Sequence, residues 1–229
     1  MCVFLFDYRN AFDFIDHGTL AAKLKDVEVP DSIVNWILDF LSYRSQRVKL
    51  SRDCLSRWAA VPAGVPQGSK LGLWVFLLMI NYLVTPSALF GMWKYVDDIT
   101  LSEKVPKGQQ SRAQEAVEHV SSWSAENLFQ LNLGKTKELT ISFRRSPEVD
   151  GIQILKATTS SKLLGLIISN TLIWNDHADS LIKKAARKIY LLVQLKRARV
   201  PAEDLVAYYC ACIRSSLDYA CPVFRDSPP

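Results

Sequence analysis

At 229 residues, 49% hydrophobic and 22% charged, with nine glycines and ten prolines, the chain can bury a substantial core and is unlike a disordered polymer. Its net charge of +5 comes wholly from the second part, because positions 1–100 hold ten basic and ten acidic residues. No apolar run approaches the ~20 residues that cross a bilayer, Met1–Phe6 lacks the basic start of a signal peptide, and five scattered cysteines without a C-x-x-C pair exclude a zinc knuckle. No membrane partner is therefore expected, and free thiols suit an intracellular protein of cytoplasm or nucleus.

In chain order, the apolar run Cys2–Phe6 predicts a buried strand that ends in Asp7. A carboxylate at the end of a buried strand suits a metal ligand and equally suits the first residue of a turn. Residues 8–14 leave the strand. A helix is expected over Gly18–Lys25, with Thr19 near its start, and a second over Pro30–Leu41. In that second helix Ile33, Trp36, Ile37, Phe40 and Leu41 recur at helical spacing, with Trp36 expected in the core. Short strands over Gln46–Leu50 and Arg57–Val61 lead into a loop, Gly64–Gly68, where two glycines permit unusual backbone angles and Pro66 stiffens the turn. Gln67 there offers both a donor and an acceptor. Leu71–Leu83 predicts a buried helix with Leu73, Phe76, Leu77 and Ile80 inward.

Phe90–Glu103 carries β-branched and aromatic residues on both sides of Asp97-Asp98, which predicts a hairpin with the acid pair at its tip. Adjacent carboxylates repel, and a divalent cation removes that cost. Taken alone, the pair is also at home in a solvated turn. An amphipathic helix over 109–128 presents Ala113, Ala116, Val120 and Trp123 to the sheet, and Leu139–Phe143 alternates as a strand. From Asn175 the pattern turns helical. One long helix runs to about Arg199, and after Pro201 another carries Leu205, Tyr208, Tyr209, Cys212, Ile213 and Leu217. The run Lys183, Lys184, Arg187, Lys188, Lys196, Arg197 and Arg199 contains no acid, so it is either a solvated helix face or a surface for a phosphate backbone.

Three of these stretches occur in a telling order: DYRNAFDFIDH (7–17), GVPQGSKLG (64–72) and YVDD (95–98). They closely resemble the A, B and C motifs of reverse transcriptases of non-LTR retrotransposons. LNLGKTKELTISF (131–143) is similar to the motif with an Asn-x-x-Lys-Thr core, and KLLGLIIS (162–169) resembles the primer grip. The likeness covers essentially the whole chain.

The resemblance implies an α+β fold: a polymerase palm, an antiparallel sheet with helices packed on one face, over residues 1–170, and a helical thumb-like segment over 171–229. It implies RNA-directed DNA synthesis, in which a deoxynucleoside triphosphate (dNTP) is joined to the 3′ hydroxyl of a DNA primer on an RNA template. Asp7, Asp97 and, secondarily, Asp98 would hold two Mg2+ ions, with Mn2+ as a substitute, and the Tyr8 carbonyl would join them. Phe12 would press on the sugar and reject a ribose 2′ hydroxyl, although a core phenylalanine is compatible with the same position. Gln67 and Gly68 would hold the nascent base pair. Lys135 would approach the triphosphate or remain a solvated loop lysine. Leu164 and Gly165, with Lys183, Lys184, Arg187 and Lys188, would contact primer and template.

The chain departs from the family in having Leu73 where proline is usual and Tyr82 where aspartate is usual. Asp7 also comes early, whereas family members carry a fingers region before it. The 229 residues are therefore expected to be a fragment, lacking fingers and endonuclease regions, with weak or absent activity on their own. The alternative is an inactive remnant that binds RNA or RNA–DNA duplexes.

Overall fold

The computed structural model describes residues 1–106, 109, 111–142 and 156–225. Two compact units emerge among them, one of residues 1–138 with Lys156 and one of residues 139–142 and 157–225.

The first unit is built on β1 (Cys2–Phe6), the wholly apolar run, which is buried along almost its entire length. It pairs antiparallel with β5 (Asp98–Glu103), with Phe4 opposite Leu101 and Phe6 opposite Ile99. β5 in turn pairs with β4 (Phe90–Tyr95), so the expected hairpin forms, and Tyr95 opposite Asp98 leaves Val96 and Asp97 as its turn. Two short strands, β2 (Arg44–Gln46) and β3 (Ala59–Val61), make a separate hairpin. On the other side of β1 the sheet order continues through β6 (Lys137–Thr140) and β7 (Lys156–Thr158), the strands at which the chain passes between the units. Phe143, the expected end of β6, lies outside the described residues.

Helices α1 (His17–Asp26), α2 (Asp31–Leu41), α3 (Lys70–Asn81) and α4 (Ala113–Glu126) supply the rest of the core. α1 begins one residue before the expected Gly18, with Thr19 in its first turn and Asp16 as its cap: the Asp16 carboxylate accepts from the Thr19 amide at 2.7 Å and the Thr19 hydroxyl at 2.9 Å, a standard satisfaction of orphan donors. Those bonds hold the Asp16 carboxyl below the usual range. Asp16→Ala is therefore expected to cost about 1 kcal/mol in chemical denaturation at neutral pH. Because the folded-state pKa is depressed, this contribution is present above the unfolded value and fades as pH falls through the folded one, so the two proteins should converge in acid.

The inward faces of α2 and α3 differ from expectation. α2 buries Val34, Ile37 and Leu41, while Trp36 is 60% exposed and Ile33 and Phe40 also face solvent. α3 buries Val75, Phe76, Met79 and Ile80, leaving Leu73 and Leu77 exposed. In α2 the polar residues Asp31, Ser32, Asn35 and Asp39 share one side, and the buried stripe is the middle of the opposite side, with Trp36 at its border; α3 is apolar nearly all round, so periodicity cannot select its buried stripe. α4 keeps the expected face, with Ala113, Ala116 and Val120 buried and Trp123 partly so.

Buried charge is tied down locally. Glu103, at the end of β5, accepts from the Ser111 hydroxyl at 2.6 Å and the Arg112 amide at 2.9 Å, fixing the start of α4. Lys94 donates to the carbonyls of Ile80, Asn81 and Leu83 at 2.9–3.2 Å, closing the end of α3 as a cation does at a helix C-terminus. At Tyr82, the departure noted above, the ring takes the Lys23 ammonium on its face at 3.9 Å.

In the second unit β8 (Ser160–Leu163) and β9 (Leu166–Ser169) form a hairpin. The expected long helix is α5 (Asn175–Arg197), and after Pro201 come α6 (Ala202–Tyr208), a π-helical turn (Tyr209–Arg214), α7 (Ser215–Asp218) and α8 (Cys221–Phe224). His177 is buried, accepts from the Ile167 amide at Nδ1 and lies edge-on to Phe224 at 5.0 Å. No helix among the described residues is long and apolar enough to cross a membrane.

Candidate active site

Asp7 follows directly on the last registered pair of β1 and β5, Phe6 with Ile99, which sets it across from Asp98 at the mouth of the β4–β5 hairpin. Residues 91 positions apart in the chain thus meet at one end of the sheet. The Asp98 carboxyl is pushed above its ordinary range, first by burial and then by the charges of Asp97 and Asp7. At the tip, Val96 has φ +56°. A β-branched residue rarely enters that region, so the turn that carries Asp97 is strained.

On its other side, the strand carrying Asp7 is laced to residues 130–132. The Arg9 amide donates to the Gln130 carbonyl, the Asn132 amide donates to the Asp7 carbonyl at 2.8 Å, and Tyr8 bridges Leu131. The following turn brings Lys135 round, and its ammonium stands 3.6 Å from Asp7 Oδ2. That oxygen is buried and accepts no hydrogen bond. Lys135 is the one cation beside it among the described residues. The motif that supplied Lys135 is thus anchored to the backbone of Asp7 itself.

The glycine loop is locked onto the segment after Asp7. The Gly64 amide donates to Ile15, the Val65 amide donates to Phe12, and His17 Nε2 donates to the Gly64 carbonyl at 2.9 Å. The three histidines show no ligand spacing in the sequence, and the signal for His17 is its place inside the 7–17 motif. Gly64 has φ +85°, and a Cβ there would lie 2.6–2.7 Å from backbone atoms of Phe12 and Asp13. Gly68 shares the angle but faces open space, and Gln67 beside it is exposed. Phe12 is half-buried and stacks on Phe76 with ring centroids 4.5 Å apart. Tyr8 turns its ring inward, its hydroxyl bonded to Ser124 at 2.9 Å, and burial raises its pKa to about 12. Only its backbone is left for the site.

The remaining candidates lie in the second unit. Leu164 and Gly165 are the turn of the β8–β9 hairpin, both at positive φ, and Tyr219 donates to the Leu164 carbonyl at 2.6 Å. Lys183, Lys184 and Arg187 are exposed on α5, whereas Lys188 donates to the Cys212 carbonyl at 2.8 Å and to the Ser216 hydroxyl. Lys188 therefore ties α5 to the π-helical turn.

Among the described residues no three acidic, histidine or cysteine side chains converge as a ready-made metal cage. Mg2+ does not need one, since it is commonly held by one or two carboxylates with water and substrate phosphates completing the shell. An all-oxygen donor set, an orphaned buried oxygen on Asp7 and a carboxyl on Asp98 pushed up by burial and then by like charge fit such an ion.

A sheet whose strands β1, β5 and β4 pair antiparallel, with acidic residues gathered where two of them end, backed by helices and followed by a helical segment, is an α+β polymerase palm with its appendage. The family model described as reverse transcriptase (RNA-dependent DNA polymerase) matches residues 1–168, and the chain belongs to that family. A second model, the N-terminal region of alkylated DNA repair protein alkB homolog 8, matches residues 174–215 alone.

Relatives lie among Drosophila non-LTR elements. The RNA-directed DNA polymerase from mobile element jockey of Drosophila funebris is 26% identical over 95% of this chain, and the probable polymerase from transposon X-element of Drosophila melanogaster is 24% identical over 95%. The probable polymerase from transposon BS is 27% identical over 83% of the chain. The chain spans about a quarter of the length of the first two. Among solved structures, telomerase from Candida tropicalis, in complex with a TWJ fragment of telomeric RNA, covers 98% of this chain and 39% of that one, with TM-score 0.55 and 12% identity. That likeness is one of fold.

Proposed function

We propose that the chain is the palm (residues 1–170) and thumb-like segment (residues 171–229) of an RNA-directed DNA polymerase, joining dNTPs to the 3′ hydroxyl of a DNA primer on an RNA template. The observation that carries this reading is the meeting of Asp7 with the Asp97–Asp98 hairpin at one end of the sheet.

Asp7 and Asp97 would hold two Mg2+ ions, with Asp98 adjacent and the Tyr8 carbonyl contributing. When bound, those ions supply activation of the attacking hydroxyl and neutralisation of the leaving oxygens. The protein's own work is positioning. Lys135 keeps the acid cluster partly neutral and, on a flexible stem, can turn from Asp7 to a phosphate and give its proton to the departing pyrophosphate. Gln67 and Gly68 stand exposed on a loop whose base is fixed to the Asp7 segment, which suits them to brace the nascent base pair. Leu164 and Gly165, with the exposed Lys183, Lys184 and Arg187, would meet primer and template.

Phe12 is held by its stack on Phe76, so it offers a rigid wall to a sugar. Phe12→Ala is expected to weaken discrimination against ribonucleotides roughly 10–200-fold, the range for a single pocket contact. The ratio of kcat/KM for deoxy- and ribonucleotides measures it, and an unchanged ratio removes Phe12 from this role.

The central test is extension of a labelled DNA primer annealed to RNA. Any incorporation is expected to be weak, to require Mg2+ or Mn2+ and to stop with chelator. Binding of the duplex with no incorporation under either metal would instead make the chain a non-catalytic binder.

A further inference from the structure

Away from the carboxylates, the β2–β3 hairpin concentrates charge and aromatic surface that the polymerase reading leaves unused. Between positions 44 and 58 stand Arg44, Arg47, Lys49, Arg52 and Arg57 against a single acid, Asp53. Among the described residues none of these five lies within ion-pair distance of a carboxylate. Two of the arginines lie over rings: Arg47 over Trp58 at 4.6 Å, and Arg44 over Phe40 at 5.2 Å. Trp58 is nevertheless 62% exposed, and Trp36, one helical turn before Phe40 on α2, is 60% exposed.

The segment is ordered beyond its two short strands. The Val48 amide donates to the Ser56 hydroxyl at 2.8 Å, the Ser56 amide to the Val48 carbonyl and the Leu50 amide to the Cys54 carbonyl, both at 2.9 Å. Lys49 bridges Leu55. The platform is therefore pre-formed.

Cations without acidic partners, interleaved with exposed rings, match one kind of partner. Phosphates meet the arginines and lysines, while unstacked bases lie on tryptophan faces and guanidinium planes. Arginine and aromatic residues are also common at protein interfaces, but five cations with no carboxylate in ion-pair distance among the described residues favour a polyanion over a second protein surface. A duplex keeps its bases stacked on one another and cannot use the rings.

We propose that the β2–β3 hairpin and the adjoining exposed face of α2 form a binding surface for single-stranded RNA, separate from the carboxylate site. The choice of RNA over DNA rests on the polymerase reading above, in which RNA is the template.

The test is fluorescence anisotropy of a short, unstructured labelled RNA with the full chain. Trp58→Ala is expected to weaken binding at least tenfold, while Trp58→Tyr, which keeps a ring, stays within about threefold of wild type. Arg47→Ala with Lys49→Ala should lower the slope of log affinity against log salt by about 1.4, at ~0.7 per lost single-strand phosphate contact. Circular dichroism confirms folding of each variant. RNA affinity unchanged by both Trp58→Ala and the double substitution overturns the proposal. So does a hairpin variant that alters self-association and leaves RNA binding intact, or tighter binding of the matched single-stranded DNA. Primer extension run in parallel separates the two readings: metal-dependent incorporation by wild type supports the polymerase, while loss of RNA binding in Trp58→Ala supports the surface whether or not incorporation is seen.

Discussion

Asp7→Asn is expected to reduce RNA-templated primer extension, however slow in the isolated chain, by at least ~10³-fold, with Asp97→Asn comparable and Asp98→Asn milder. The physical reason is local. Asp7 Oδ2 is buried and accepts no hydrogen bond, and the charge of Asp7 is among those that push the Asp98 carboxyl up. Such a group makes sense when a cation joins it. Neutralising it removes like-charge repulsion, and the melting temperature of Asp7→Asn should equal or exceed that of wild type. Lost activity in a protein that is no less stable is the signature of a functional carboxylate; lost activity with lost stability would make Asp7 structural.

Lys135→Ala separates the cation's roles. Its pair with Asp7 spans 3.6 Å and the lysine side chain is 70% exposed, so stability should hardly change. Removing a competing ammonium should tighten Mn2+ binding, read by the electron paramagnetic resonance of the free ion, while turnover falls. If Mn2+ affinity falls with turnover, Lys135 supports the site in some way other than by leaving it.

How much of this could be read from the chain depends on what kind of information each element holds. Cys2–Phe6 and the strands around Asp97 were legible because a short, wholly apolar run and a β-branched pair flanking two acids have few alternative structures. Their meeting was not a matter of local pattern. Nothing in periodicity pairs Phe6 with Ile99; the order of the motifs carried that. Leu73 and Leu77 went the other way, because a helix apolar on every side offers no stripe to choose, while Trp36 sits at the border of the apolar side of α2, where the tertiary neighbours decide. The expected start of α1, Gly18, lies one residue from the observed His17, but the cap itself was not legible, since only geometry shows that the Asp16 oxygen faces the Thr19 amide. The Lys135–Asp7 contact depends on the hydrogen bond from Asn132 to the Asp7 carbonyl, a tertiary fact invisible in composition.

The contrast between Gly64→Ala and Gly68→Ala should expose how the site is held together. Both glycines have φ +85°, so each substitution forces alanine into the left-handed region at about 1–2 kcal/mol. At Gly68 a methyl group meets nothing within 4 Å, and that conformational cost is all that is expected. At Gly64 the same methyl would lie 2.6 Å from the Asp13 carbonyl oxygen and 2.7 Å from the Phe12 carbonyl oxygen, distances that backbone cannot accept. The loop would have to lift away, and three hydrogen bonds go with it: Gly64 to Ile15, Val65 to Phe12 and His17 to Gly64. At about 1 kcal/mol each, their loss with the strain puts Gly64→Ala at roughly 4–5 kcal/mol, a large share of the stability of an ordinary domain. Urea denaturation followed by fluorescence measures both. If Gly64→Ala folds well enough to assay, the lifted loop should raise KM for the nucleotide more than it lowers kcat, because Gln67 moves while Asp7 and Asp97 stay on their strands. Equal midpoints for the two variants would mean that the glycine loop is not seated on the Asp7 segment, and the coupling between nucleotide loop and carboxylates would have to be abandoned.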